Sequence, residues 1–122
     1  MRRIIILLLL LLAHPPFLAR VGAQSPVTIQ VNPRMTTQTV NVKIRVEPHA
    51  HNRHLWLIWY QFEGFESKKY WQLEGEKALK FYDARITFDE GGTWQVKAKV
   101  IKNDESSVIA LTSVIVTRLD RN

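Results

Sequence analysis

The residues whose types could do chemistry are concentrated in one octapeptide, EPHAHNRH, residues 47–54. His49, His51 and His54 fall within six positions of a chain that has four histidines and no cysteine. Neutral imidazoles ligate Zn²⁺, Cu²⁺ and Ni²⁺, and in extended backbone His49 and His51 project to the same side. A turn at Asn52 would bring His54 round to join them. The opposing reading is an exposed loop between two strands. Pro48 has no N–H to give to a ladder, so the chain is expected to leave the sheet there. Asn52-Arg53 then reads as turn chemistry. The spacing is neither a pair of ligands across one helical turn nor a CxxC knuckle, and Arg53 adds a repulsive charge. The loop reading is favoured, with a metal site at His49, His51 and His54 as the alternative. Nothing else in the sequence requires a cofactor.

Catalysis has less to stand on. Beyond the N-terminal segment, serines occur at 25, 67, 106, 107 and 113, none in a G-x-S-x-G elbow and none near a histidine in sequence. Glu63, Glu66, Glu74 and Glu76 offer carboxylates in pairs. Interleaved with Lys68, Lys69 and Lys77 around turns, they read as a solvated surface. Without a nucleophile, base or metal signature, the chain is expected not to be an enzyme.

Aromatic side chains carry the stronger expectation. Trp56, Trp59, Tyr60, Phe62, Phe65, Tyr70 and Trp71 fall within 16 residues. The run LWLIWYQF, 55–62, is apolar on both alternating sets, and a two-layer sandwich buries only one of them. Either Leu55, Leu57 and Trp59 point inward, leaving Trp56, Ile58 and Tyr60 outside, or the reverse. With Tyr70 and Trp71 on the adjacent strand, the outward set forms an exposed aromatic patch. Such patches mark contact surfaces, and Trp and Tyr are favoured interface anchors. Trp56, Tyr60, Tyr70 and Trp71 are therefore the expected binding residues, for a protein partner. Glycan stacking on Trp56, Tyr70 and Trp71 is a further alternative.

The elements that must position these residues are strands. Residues 39–47 alternate Val40, Val42, Ile44 and Val46 against Asn41, Lys43, Arg45 and Glu47, the pattern of a half-buried strand. Residues 93–101 alternate Trp94, Val96, Ala98 and Val100 against polar positions. Segments 27–31, 55–62, 68–74, 78–88 and 107–117 complete a series of seven, with a bend expected near Asp83. No segment has a 3.6-residue period. Seven strands in under 100 residues, separated by regular turn signals, predict an all-β antiparallel sandwich.

The first residues are set apart from this domain. A basic MRR, the apolar run 4–13, the Pro15–Pro16 pair and small residues at Val21 and Ala23 predict a signal peptide over 1–23. A spanning helix needs about 20 apolar residues, more than this run supplies. Removing Arg2, Arg3 and Arg20 leaves 14 basic against 11 acidic side chains, a net charge of +3 rather than +6. That surplus is unclustered, so no nucleic-acid stripe is expected. No cysteine is present for a disulfide or a lipid anchor, and no membrane insertion is expected after cleavage. The predicted location is secreted or periplasmic, with residues 24–122 as a single domain.

EGGTWQVKA, residues 90–98, resembles the E–F corner and F strand of immunoglobulin-like domains. There an acid, a glycine, an aromatic and a core residue recur at alternate positions, here Glu90, Gly92, Trp94 and Val96. The family's aromatic is usually a tyrosine that ties the corner by its hydroxyl; Trp94 has only its indole N–H. The resemblance implies Val96 at the family's disulfide position, opposite Val42 or Ile44, and Trp56 or Trp59 as the strand-C tryptophan. Cysteine-free versions resemble fibronectin type III-like domains of small exported bacterial proteins. Together these readings predict an Ig-like sandwich without a disulfide. They also predict a non-catalytic binding or structural accessory module that recognises a protein partner through its aromatic face.

Overall fold

The computed structural model describes residues 25–117, so the expected signal segment, 1–23, lies outside the described residues. Eight strands follow in chain order: β1 (Val27–Gln30), β2 (Arg34–Met35), β3 (Thr39–Val46), β4 (Asn52–Tyr60), β5 (Ser67–Gln72), β6 (Phe81–Thr87), β7 (Gly92–Lys102) and β8 (Ser107–Val116). A single 3₁₀ turn, Gly75–Lys77, lies between β5 and β6. The strands form a three-stranded sheet, β1-β3-β6, and a five-stranded sheet, β2-β8-β7-β4-β5. All pairings are antiparallel except that of the two-residue β2 with β8. The chain is an all-β sandwich, as the sequence predicts.

Period-two patterning decides which side chains meet between the sheets. Val42, Ile44 and Val46 of β3 and Tyr82, Ala84 and Ile86 of β6 face Leu55 and Leu57 of β4 and Val96, Ala98 and Val100 of β7. Phe88 and Trp94, with ring centroids 5.0 Å apart, close one end of this layer. The three positions that the resemblance places at the disulfide, Val42, Ile44 and Val96, are each fully buried. Burying a Val or Ile side chain is worth about 1.5–3 kcal/mol, so apolar packing stabilises the centre where a disulfide is absent.

Three boundaries depart from the sequence reading. β2 is an added strand, too short to show any period in the sequence. The 78–88 segment starts at Phe81 and runs unbroken past Asp83, which pairs with Lys43, so the expected bend is absent. β4 starts at Asn52 rather than Leu55 because the register with β7 shifts between Asn52 and His54. A β-bulge there changes the parity of the strand. It turns Asn52 inward, to 3% exposure, while Leu55 and Leu57 keep the core side.

Candidate functional site

The β3–β4 connection is tied down rather than slack. Glu47 N donates to Pro26 O at 2.8 Å as the chain leaves β3, and Asn52 N donates to His49 O at 3.0 Å, closing the turn. Buried Asn52 donates its Nδ2 to Glu47 O at 3.1 Å across the neck of the loop. On the other side, Asn103 N donates to His51 O at 2.8 Å from the β7–β8 turn. Arg53 Nη1 donates to Ala50 O at 2.7 Å and to Asn52 O at 2.8 Å, so the expected repulsive charge is engaged by the loop's own carbonyls.

This frame carries two exposed imidazoles side by side. The His49 and His51 rings lie 5.1 Å apart between centroids, at an interplanar angle of 41°. His51 N donates to His49 Nδ1 at 3.1 Å, and His51 Nδ1 lies 3.1 Å from Asn103 Nδ2. Asp104 follows in the same turn. Hydrogen bonds from the Ser106 hydroxyl and backbone N–H hold its carboxyl below the ordinary carboxylate range, and the neighbouring His51 acts in the same direction.

His54 does not join them. The bulge places it on β4, facing out beside Trp56, with Nδ1 2.7 Å from Tyr70 Oη. Among the described residues no three His, Cys, Asp or Glu side chains gather closely enough for one metal ion. The three-histidine set therefore becomes a pair, His49 and His51, because the third lies in a strand and not in the loop.

The aromatic set also divides. Leu55 and Leu57 are buried and Trp59 packs against the core, which leaves Trp56, Ile58 and Tyr60 on the outer face. Tyr70 pairs with Trp56 across β5 and β4, with ring centroids 4.8 Å apart. Trp71 turns the other way, against the core and 5.7 Å from the Tyr82 ring. Consecutive strand residues point to opposite faces, so Tyr70 and Trp71 cannot share one platform, and the Trp56–Tyr70–Trp71 glycan set is not assembled.

Asn103 and Asp104 were not singled out by the sequence, where KNDES reads only as a turn. Their signal lies in the topology. In a sandwich the β3–β4 and β7–β8 connections emerge at one end, and register brings Lys102 opposite Asn52.

The fold and this end of it define a class: a cysteine-free, two-sheet all-β domain with an imidazole pair on its end loops. No family model and no curated protein matches the chain. Solved structures do superpose on it. A superoxide reductase (neelaredoxin) from Ignicoccus hospitalis aligns at a TM-score of 0.61 and 15% identity, over 85% of this chain and 89% of that one. The CARDB domain of a Pyrococcus furiosus protein, in complex with di-metal ions, aligns at 0.54 and 13%, over 80% and 97%. The PmoD soluble domain from a Methylocystis species aligns at 0.52 and 10%, over 74% and 90%. Likeness at this identity carries the fold. It overturns the expectation of a non-catalytic protein-recognition module: the superposed structures include superoxide reductases and a di-metal complex, so the fold is one that hosts metal and enzyme chemistry.

Proposed function

We propose that the chain is an exported metal-ion-binding protein that captures a late first-row divalent ion between His49 and His51. The carrying observation is the 5.1 Å imidazole pair on a loop braced by Asn52 and Asn103. Imidazole suits Cu²⁺, Zn²⁺ and Ni²⁺, with Cu²⁺ bound most tightly among the divalent ions. Asn103 supports the reading in a second way. Metal-bound histidine needs its other ring nitrogen held by a partner, and reversal of the Asn103 carboxamide presents Oδ1 to a protonated Nδ1 of His51. The Asp104 carboxylate supplies negative charge beside the cation. A neighbour determined with di-metal ions and others named as superoxide reductases are consistent with this reading.

The finer fold assignment belongs to the same proposal. The sheet orders β1-β3-β6 and β2-β8-β7-β4-β5 support an immunoglobulin-like or fibronectin type III-like assignment. The Trp94 Nε1 donor to Glu90 O, 2.9 Å, supports an indole version of the corner that tyrosine makes in that family.

Calorimetric titration of the purified chain with Cu²⁺ and Zn²⁺ tests the ion reading. One saturable ion per chain is expected. Binding should disappear in His49→Ala/His51→Ala and persist in His54→Ala, and it should weaken on acidification, because a protonated imidazole has no lone pair to donate. Affinity unchanged in the double variant, or lost in His54→Ala, would overturn the assignment.

A further inference from the structure

Among the described residues nothing packs on the outer face of the five-stranded sheet, and its chemistry is one-sided. Cross-strand register stacks Tyr70, Trp56, Lys99 and Ile109 in one row, and Lys68, Ile58, Lys97 and Leu111 in the next. Tyr60 and Ile115 extend the same face toward β2. Large apolar groups stay open to solvent there: Tyr70 is 42% exposed, Ile109 50% and Leu111 58%. Four strands at about 4.8 Å and four rows at about 6.8 Å give a nearly flat patch of about 15 by 20 Å. Lys68, Lys97, Lys99 and the Gln95–Ser113 pair share that area, so the face is a mixture of aromatic, aliphatic and cationic groups.

Charge selects what covers it. The five strands of this sheet carry Lys and Arg side chains and not one Asp or Glu. The acidic side chains of the described chain lie in loops, in turns or, as Asp83, on the other sheet. Lys68 Nζ stands 5.9 Å from the centre of the Trp56 ring, and Lys97 Nζ 5.9 Å from that of Tyr60, so the cations are interleaved with the aromatics. A second copy of this face would oppose lysine to lysine and is disfavoured. Sugar stacking uses flat rings, and Ile109, Leu111 and Ile115 offer none.

We propose that this face docks the domain on an anionic lipid bilayer. Trp and Tyr prefer the headgroup boundary, exposed aliphatic groups enter the acyl margin, and lysines reach back to anionic headgroups. From His54 to Trp59, β4 is paired on both sides, and β7 is paired with β4 and β8, so the centre of the face meets lipid with its backbone hydrogen bonds made within the sheet. The docking is peripheral and independent of ion capture. His49 and His51 belong to the end loop, away from the patch rows.

The test is sedimentation of the full chain with vesicles of phosphatidylcholine alone and of phosphatidylcholine mixed with phosphatidylglycerol, with and without brominated acyl chains. Binding should rise with phosphatidylglycerol and fall with salt. Lys97→Gln and Lys99→Gln should each weaken the phosphatidylglycerol-dependent part about fivefold. Quenching by brominated lipid should be strong in the native chain and largely lost in Trp56→Phe, since Trp59, Trp71 and Trp94 face the core. This arm separates docking by the face from attachment through the apolar N-terminal run, which the substitution leaves intact. Equal binding to both vesicle types, or quenching retained in Trp56→Phe, would overturn the proposal. So would saturable binding of polyglutamate with no phosphatidylglycerol dependence, which would assign the face to an acidic polypeptide.

Discussion

At the residue scale, the site is a matter of which nitrogen is free. His51 Nδ1 faces Asn103, which leaves His51 Nε2 without an assigned partner. His49 Nδ1 instead accepts from His51 N and its proton sits on Nε2, so ligation by His49 Nε2 requires that bond to open and the proton to move to Nδ1. An ion at Nε2 of His51 requires the proton on Nδ1, and Asn103 Oδ1 is the acceptor that would stabilise it. Asn103→Leu should therefore lower ion affinity about 10–100-fold while leaving far-ultraviolet circular dichroism unchanged. Affinity equal to that of the native chain would remove Asn103 from the site. The histidines were legible in the sequence as candidate ligands. Their partner was not, because residues 51 and 103 are brought together by strand pairing and by nothing in local spacing.

At the element scale, one bulge and one corner do most of the positioning. The β4 bulge turns Asn52 into the core end and leaves His54 on the sheet face. No sequence pattern distinguishes that from a turn at Asn52-Arg53, since Asn serves in both. The β6–β7 corner was more legible, because acid, glycine, aromatic and core residues recur at fixed alternation. In it Trp94 Nε1 donates to Glu90 O at 2.9 Å, and Gln61 Nε2 donates to Gly91 O at 2.8 Å. Gly92 has φ of +119°, and a Cβ there would run into the Gln61 amide. Gly92→Ala combines left-handed strain with loss of the Gln61 brace, and should destabilise the domain by about 1–3 kcal/mol. Urea denaturation measures it as a lower midpoint at unchanged slope. An unchanged midpoint would show that the corner yields without cost.

For the whole molecule, Tyr82 reports how the two sheets are joined. It stands on β6 of one sheet and packs its ring against Trp71 of the other, and burial raises its phenol above the ordinary tyrosine value. A raised folded-state value stabilises the domain fully below the unfolded value, about 10. That stability is lost as pH rises through the folded value, because the unfolded chain then releases the proton more readily. Thermal melts should show the native chain losing stability above about pH 10, with a smaller loss in Tyr82→Phe. Identical alkaline profiles would mean that the phenol reaches solvent.

The sequence by itself determined seven of the eight strands, the inward sets of the alternating strands β3 and β7, and the all-β class. Period-two alternation is written directly in side-chain polarity, and the burial of Val42, Ile44, Val96 and Val100 follows from it. Tertiary structure alone decided which aromatic set of β4 faces out, since LWLIWY is apolar on both sides and only packing against β3 and β6 chooses. It likewise separated Trp71 from Tyr70 and His54 from the other histidines, and set Asn103 against His51. Those outcomes depend on register between distant strands, and register is settled by the burial of the whole core rather than by any local run of residues.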